Sequence, residues 1–266
     1  MRQLLLAAVT CSALVLSGCG ASGTSASSGS SSATAKAIPN FGAAVSAPGR
    51  TEADIKLDAS RKPAETLAFM GLESGDVALD IFAGGGYFSE IMAAAVGPAG
   101  SVIAVNPPQF VSSDASKAKW AGVTERQPTV TMIPIQLTDF TPDAESYDFV
   151  MMHLIYHDLY WESEKFKMVR MDPAIFLRKL YASMKPGGIV AVIDHVGVEG
   201  ETRAVVDKTH RINPAVARAD FKKAGFALES ESDMFANPDD DLEKIVFDPS
   251  VRGKTNRFVM KFRKPG

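Results

Sequence analysis

The residues best suited to acid–base chemistry are histidines, and all four of them fall in the second half of the 266-residue chain. They are His153, His157, His195 and His210. Imidazole changes its charge near neutral pH, so a histidine can take a proton from a nucleophile. His153 follows one predicted strand, the pair His157-Asp158 comes one helical turn later, and His195 ends the next strand. The carboxyl ends of parallel strands meet at one edge of a sheet, which predicts a catalytic cluster of His157, Asp158 and His195.

The same side chains leave metal binding open as an alternative. His153 and His157 have the i, i+4 spacing that places two imidazoles on one helix face. Asp158 or His195 would supply a third ligand, and metal-assisted hydrolysis would then be the reaction. Zinc sites usually show a cleaner ligand signature, so the sequence assigns no metal.

A glycine-rich loop stands between a predicted strand, Val77–Phe82, and a predicted helix, Tyr87–Val96. It contains three successive glycines, Gly84, Gly85 and Gly86. Glycine lets the backbone pass close to a ligand, and a helix N-terminus offers free N–H groups to a carboxylate or phosphate. Neither the third glycine of the dinucleotide fingerprint nor the lysine of a P-loop follows, which weakens a phosphate-binding interpretation. The pattern predicts a loop that holds another kind of ligand.

The candidate residues can act together only if the fold brings the ends of several strands close to one another. Apolar runs of strand length alternate with helical patterns along the chain, which predicts a sheet of this kind. Further strands are predicted at Ser101–Val105, Val130–Ile135, Tyr147–Met152, Ile189–Ile193, Ala227–Ser232 and Arg257–Phe262, and helices at Ala59–Met70, Pro173–Met184 and Pro214–Ala224. Lys185–Gly188 is predicted to form the turn before the strand at Ile189–Ile193, the fifth strand of the chain. The fold class is α/β, with a doubly wound, mostly parallel seven-stranded sheet that ends in an antiparallel edge.

The segment from Asp80 to Gly86 resembles motif I of class I S-adenosylmethionine-dependent methyltransferases, in which an acidic residue ends a strand before spaced glycines. Seven strands with a reversed last hairpin resemble the Rossmann-like methyltransferase fold over the whole domain. A bacterial group called predicted methyltransferases is similar in five short segments, namely Arg61–Pro63, Gly84–Gly86, His157–Trp161, Asp194–His195 and Arg252–Thr255. The resemblance implies S-adenosylmethionine as the cofactor and methyl transfer as the activity.

The resemblance also implies particular cofactor contacts. The amides from Gly84 to Gly86 would hold the methionine carboxylate, and Asp80 would pair with the ammonium group. Asn106 stands where the family usually has an acidic residue that binds both ribose hydroxyls, and Asp139 follows the third strand as a further contact. Phe82 stands where the family usually has glycine.

The N-terminus has the form of a secretory signal. Arg2 precedes an apolar run from Leu4 to Leu16, which is too short to span a membrane. Residues 16–19, Leu-Ser-Gly-Cys, resemble the bacterial lipobox, which implies cleavage before Cys19 and lipid attachment to its sulfur. We therefore predict a signal peptide at 1–18, a flexible Ser/Ala/Gly tether at 19–50 with lipidated Cys19, and a methyltransferase-like domain at 51–266. The protein would be exported and held at the membrane, on the periplasmic or cell-surface side, by its lipid alone.

Composition excludes several classes of function. The two cysteines, Cys11 and Cys19, both precede the predicted domain, which excludes thiol catalysis and a disulfide scaffold there. A net charge of −3 with scattered Lys and Arg argues against a nucleic-acid partner. The family resemblance, together with these exclusions, predicts a methyltransferase that acts on a small molecule. Because the methyl donor is made in the cytoplasm, the alternative is an exported binding or accessory protein that has lost turnover.

Overall fold

The structure is a computed structural model, and residues 36–266 are described by their secondary structure and contacts. Its strands are β1 (Val77–Ile81), β2 (Ser101–Asn106), β3 (Val130–Pro134), β4 (Tyr147–His153), β5 (Met184–His195), β6 (Ala227–Ser232) and β7 (Arg257–Arg263). Their order is β3-β2-β1-β4-β5-β7-β6. The pairs from β3 to β5 are parallel, whereas β7 runs antiparallel to both β5 and β6. The predicted α/β fold with an antiparallel edge is therefore confirmed.

Helices connect and cover the strands. They are α1 (Phe41–Val45), α2 (Glu52–Ile55), α3 (Asp58–Arg61), α4 (Pro63–Met70), α5 (Tyr87–Val96), α6 (Pro108–Val111), α7 (Asp114–Arg126), α8 (Pro173–Ser183), α9 (Thr202–Thr209) and α10 (Pro214–Ala224), with a 3₁₀ turn at Tyr156–Leu159. α8 and α10 each begin with proline, and the side chains of Asp172 and Asn213 cap them. Proline suits the first helical position because its missing N–H needs no partner there.

Both faces of the sheet carry a buried apolar layer. Successive strand residues point to opposite faces, so Ala78 packs in one layer and Leu79 in the other. The first layer includes residues of α4 and α5, and the second includes residues of α8 and α10. With both faces covered, the carboxyl edge of the strands is the place where a ligand can reach the sheet.

The predicted helix at Ala59–Met70 is interrupted in the structure. Lys62 has a φ angle of 43°, which separates α3 from α4. Pro63 disfavours helical geometry in the residue before it, and it has no N–H to donate. The break places Arg61 at the end of α3, next to the site described below.

The fifth strand is longer than predicted. The segment Lys185–Gly188 is not a turn before the strand but an irregular part of β5, which begins at Met184. The pairing with β4 shifts between Tyr147↔Met184 and Phe149↔Ile189, which is the mark of a bulge. Gly187 has a φ angle of 81°, so the glycine permits the local distortion without ending the strand.

The predicted boundary between tether and domain also differs from the structure. Residues 36–50, which the sequence analysis assigned to the tether, pack on the domain. Phe41 of α1 is buried in the core, and Arg50 donates two hydrogen bonds to the carboxylate of Asp58. The average composition, rich in Ser, Ala and Gly, did not indicate this packing. A single buried aromatic ring is enough to hold a short helix on the domain, because it buries a large apolar surface.

The predicted signal peptide and Cys19 lie outside the described residues. Among the helices of residues 36–266, none is long and apolar enough to cross a membrane.

Candidate functional site

The glycine loop lies between β1 and α5 and is held from two sides. The Asn106 side-chain Oδ1 accepts a hydrogen bond from the Gly84 N–H at 2.8 Å, and Trp120 Nε1 donates to the Gly84 carbonyl at 3.0 Å. Gly84 and Gly86 have φ angles of 58° and 83°, in the region that favours glycine. A Cβ atom on Gly84 would meet no heavy atom within 4 Å among the described residues. At Gly84 the loop backbone therefore faces open space that a ligand can enter, whereas the side chains of Lys119 and Trp120 lie close to Gly85 and Gly86.

A cavity of about 160 Å³, here called the loop cavity, opens beside this loop. Its walls include Asp80, Gly84, Gly85, Arg61, Lys119 and His153. Asp80 is buried and accepts a hydrogen bond from Ser89 Oγ at 2.6 Å. Burial raises the pKa of the Asp80 carboxyl to about 7, although the Ser89 hydrogen bond and the charge of Arg61 oppose the rise. A carboxyl group in this setting is stabilised in its charged form when a cationic ligand, such as an ammonium group, binds next to it.

A larger cavity of about 480 Å³, here called the histidine cavity, adjoins the first. Its walls include His157, Asp158, His195, His210, Arg257 and Trp161. Three residues line both cavities: Leu57, Arg61 and Phe82. The structure thus brings the three predicted catalytic residues to one cavity and places that cavity next to the glycine loop.

Phe82 stands at the junction of the two cavities in a conformation that is unusual for a bulky residue. Its φ angle is 57°, and its ring centroid lies 5.5 Å from that of Phe110. A left-handed backbone conformation favours glycine at this position, because glycine has no Cβ. In this chain the side chain of Phe82 occupies the position and forms an aromatic wall between the loop and the histidines.

His157 and Asp194 form a buried pair at the carboxyl ends of β4 and β5. The His157 Nδ1 atom lies 2.9 and 3.0 Å from the two carboxylate oxygens of Asp194, and the His157 backbone N–H also donates to Asp194 at 2.8 Å. Burial alone would lower the pKa of His157, but Asp194 and Asp158 raise it to about 9. Burial would raise the pKa of Asp194, yet its contacts with His157 hold it below its usual range. The pair orients the imidazole and leaves Nε2 for the cavity, 3.6 Å from Asp158.

His195 belongs to a different hydrogen-bond chain. Its Nδ1 lies 2.7 Å from Thr255 Oγ1, which also accepts a hydrogen bond from Arg257 Nε at 3.0 Å. The bond from Arg257 uses one lone pair of the Thr255 hydroxyl, which keeps a second lone pair and its proton, so the contact with Nδ1 is compatible with either tautomer of His195. Burial lowers the pKa of His195 well below its usual value. At neutral pH this side chain is uncharged, whereas His157 is the histidine that gains and loses charge.

The predicted i, i+4 metal pair is not formed. Leu154 has a φ angle of 60° and Tyr156–Leu159 is a 3₁₀ turn, so His153 and His157 do not share an α-helical face. His153 packs on Phe88 in the loop cavity, and its Nε2 has no hydrogen-bond partner within residues 36–266. The group that approaches metal-binding geometry is instead His157, Asp158 and His210, whose ligand atoms lie within 4.8 Å of one another.

Two predicted cofactor contacts lie away from both cavities. Asn106 is fully buried, and its Nδ2 has no partner in the described part of the chain. It holds the glycine loop, and the ribose contact stays a prediction. Asp139 is exposed after β3 and lines neither cavity, so its cofactor contact also stays a prediction.

The sequence analysis gave no role in the site to three residues that the site uses, although Asp194 and Thr255 lie in segments that carry the family resemblance. Asp194 and Thr255 orient His157 and His195, and Arg257 faces the histidine cavity. Asp194 directly precedes a candidate histidine at a strand end, which is a usable signal. Nothing in the sequence marks Thr255 and Arg257 as neighbours of His195, because antiparallel pairing of β5 with β7 brings them there.

Several solved structures with the same fold are methyltransferases. A S-adenosylmethionine-dependent methyltransferase from Aquifex aeolicus has a TM-score of 0.54 and 19% identity, over 80% of this chain and 97% of that chain. One from Mesorhizobium loti has a TM-score of 0.53 and 16% identity, over 78% and 99%. The [4+2]-cyclase SpnF has a TM-score of 0.52 and 16% identity, over 78% and 81%.

No protein-family model matches the chain, and no curated protein matches its sequence. The structural neighbours show that the chain has the Rossmann-like methyltransferase fold. Because one fold serves several chemistries, the activity has to be argued from the residues of the site.

Proposed function

We propose that this protein is a S-adenosylmethionine-dependent methyltransferase that acts on a small molecule. The observation that carries the proposal is the pairing of an open glycine loop with the buried carboxyl of Asp80 at the end of β1. The Gly84 and Gly86 N–H groups already donate to Asn106 Oδ1 and to the Ala83 carbonyl, so the N–H that the glycine run offers to a carboxylate is that of Gly85, which makes no hydrogen bond within the described residues. Asp80 offers a negative charge to an ammonium group. An amino-acid end is the ligand chemistry that satisfies both at once.

The residues of the loop cavity fit the methionine end of the cofactor. Gly84 and Gly85 would face its carboxylate, and Asp80 would pair with its ammonium group. When bound, S-adenosylmethionine supplies an electrophilic methyl group. The shared wall of the two cavities would bring the acceptor in the histidine cavity next to that group, and alignment with exclusion of water is worth up to about 7–11 kcal/mol in favourable cases.

His157 is suited to accept a proton from an acceptor hydroxyl or amine. Asp194 holds its Nδ1, which leaves Nε2 facing the cavity. Since its pKa is about 9, His157 is mostly protonated at pH 7, and proton transfer to it requires a higher pH or an acceptor that arrives already ionised. A cavity of about 480 Å³ is in the range of small-molecule sites, which supports a small acceptor.

Binding of S-adenosylhomocysteine, which keeps the amino-acid end, tests the proposal. Calorimetric titration of the purified protein should show binding that weakens by about 10- to 100-fold in Asp80→Asn, the effect of losing a charged hydrogen bond. The exposed Asp114→Asn variant on α7 is the matched control and should bind as the native protein does. Equal affinity in the native and Asp80→Asn proteins, or no binding, would refute the proposed cofactor site.

A second candidate function is an exported binding or accessory protein without turnover. The observation that favours it is Asn106, which stands at the position of the family's ribose-binding acid but directs its Oδ1 to the loop. Single-turnover assays with labelled S-adenosylmethionine and a library of small hydroxyl and amine acceptors distinguish a methyltransferase from a binding protein without turnover. Bound cofactor without methyl transfer to any acceptor would favour this second function.

We also propose export and lipid anchoring through Cys19, on the residues of the lipobox-like segment alone. In a bacterial host, labelled fatty acid should be incorporated into the protein and not into a Cys19→Ser variant. Cys11→Ser is the matched control, because it lies within the predicted signal peptide. Incorporation that is equal in all three proteins, or absent from the native one, would contradict the anchor.

A further inference from the structure

The histidine cavity carries an excess of positive side chains. Arg61, Arg252 and Arg257 line it, and Asp158 is the carboxylate among its lining residues. Within residues 36–266, none of these three guanidinium groups lies within 4.0 Å of a carboxylate oxygen. Other arginines of the described chain do form such pairs: Arg50, Arg126, Arg170, Arg211, Arg218 and Arg263. Of the described arginines outside the cavity, only Arg178 and Arg203 also lack such a pair, so what distinguishes this cavity is that three guanidinium groups without a carboxylate partner line it together.

Arg257 is the most confined of the three. It is 5% exposed, and within the described residues its side chain donates hydrogen bonds to the Thr255 hydroxyl and, through Nη1 at 2.8 Å, to the Ser60 carbonyl. Its guanidinium carbon also lies 5.6 Å from the centre of the Phe235 ring. Its Nη2 makes no hydrogen bond within the described residues, so part of a five-donor group remains available. Burial and the nearby charge of Arg61 lower the pKa of Arg257 to about 10. A buried charge without a counter-ion costs stability, and an anionic ligand would offset that cost.

The remaining walls of the cavity are largely aromatic. Phe82 and Phe110 stand at the side of the glycine loop, and Trp161, Phe166 and Phe247 stand elsewhere around the cavity. The rings of Trp161 and Phe166 lie 5.6 Å apart, and Phe247 packs near His210. Such walls bury a flat apolar body, while the polar groups fix its orientation.

The charge balance argues against a cation in the same place. His157, Asp158 and His210 approach one another closely enough to contact a metal ion. However, a divalent cation there would share the cavity with three guanidinium groups that have no carboxylate partner. An anion meets the opposite field and can accept hydrogen bonds from both a guanidinium group and the imidazoles.

We propose that the histidine cavity binds an organic anion, with its carboxylate, sulfonate or phosphate group at Arg257 and an apolar, flat body against the aromatic walls. The identification of this anion as the methyl acceptor rests on the proposed function, whereas the binding site itself does not. Arg61, which lines both cavities, adds positive charge at their junction.

An isosteric pair of probes tests this site. Binding of 2-naphthoate and of the neutral 2-naphthamide is measured by fluorescence and calorimetry, with and without S-adenosylhomocysteine. Naphthoate should bind at least about tenfold more tightly than naphthamide, which corresponds to about 1.4 kcal/mol. Arg257→Gln should reduce that preference to within about threefold, and Arg257→Lys, which keeps the charge, should retain part of it.

Controls separate the anion site from a folding defect and from the cofactor site. Arg218→Gln alters an exposed arginine that pairs with Glu231, and it should keep the full preference for naphthoate. Circular dichroism spectra and unfolding midpoints of the Arg257 variants show whether they fold. If Arg257→Gln does not fold, the Arg257→Lys and Arg61→Gln variants decide the result, and both should lower the preference.

Three results would overturn the proposal: equal affinity for the two probes, no binding of either probe, or an unchanged preference in the folded Arg257 and Arg61 variants. Loss of S-adenosylhomocysteine binding with a retained naphthoate preference would refute the proposed cofactor site and leave the anion site standing. The reverse pattern would refute the anion site alone.

Discussion

Replacing Asp80 by Asn removes a carboxyl group that is fully buried at the end of β1. In the folded protein burial raises its pKa from 3.8 to about 7, so the native state resists ionisation of this group. Between pH 4 and pH 7 the unfolded chain loses the proton while the folded chain keeps it, and stability falls by about 1.4 kcal/mol per pH unit. The total loss of folding stability caused by ionisation of Asp80 is about 4 kcal/mol, and it is present at and above pH 7.

The Asp80→Asn protein lacks this penalty and keeps an oxygen that can accept the hydrogen bond from Ser89 Oγ. Its stability relative to the native protein should therefore rise with pH, from a constant offset near pH 4 to about 4 kcal/mol more at pH 7 and above. The offset reflects the buried amide N–H groups of Asn, which do not titrate, and so the change with pH is the informative quantity. Urea unfolding of both proteins at pH values from 4 to 8 measures it.

Ligand binding should favour the native protein over Asp80→Asn, which is the opposite of the order expected for the free proteins at pH 7, and this contrast is the sharper test of Asp80. S-adenosylhomocysteine should stabilise the native protein increasingly as Asp80 ionises, and it should stabilise Asp80→Asn much less. A stability difference between the two proteins that is independent of pH would refute the burial argument. Equal stabilisation of both by the ligand would refute the role of Asp80 in binding.

Three further substitutions test other contacts of the structure. Asn106→Ala removes the acceptor for a glycine-loop N–H and should lower the free energy of unfolding by about 1–3 kcal/mol, measured in urea, and weaken S-adenosylhomocysteine binding. Asp194→Asn should lower the pKa of His157 from about 9, seen by NMR titration, and reduce the stability that His157 contributes below pH 6.5 and loses as the pH rises through 9, with Asp158 retaining a part of it. Arg211→Ala leaves the buried Asp240 carboxylate unpaired and should cost about 3–5 kcal/mol in unfolding experiments, whereas a loss below about 1 kcal/mol would contradict burial of the pair.

The strand and loop pattern was predictable because it depends on local sequence. A run of buried β residues, an acidic strand end and successive glycines place the loop before α5, and the structure has them there. The helix at Ala59–Met70 was predicted less well, because the apolar period continues through Lys62 while Pro63 breaks the backbone. Residues 36–50 were misassigned because average composition hides the burial of Phe41.

The sequence by itself determined the α/β fold, the ligand loop at β1 and the candidate histidines, since each depends on periodicity or on neighbours along the chain. Only the tertiary structure decided which groups act together. His153, the last residue of β4, lies on the strand face that packs against Phe88 at the loop cavity, and the antiparallel β7 places Arg257 opposite His195. Such contacts join residues about 60 positions apart, and their hydrogen bonds and burial set the charge of each histidine.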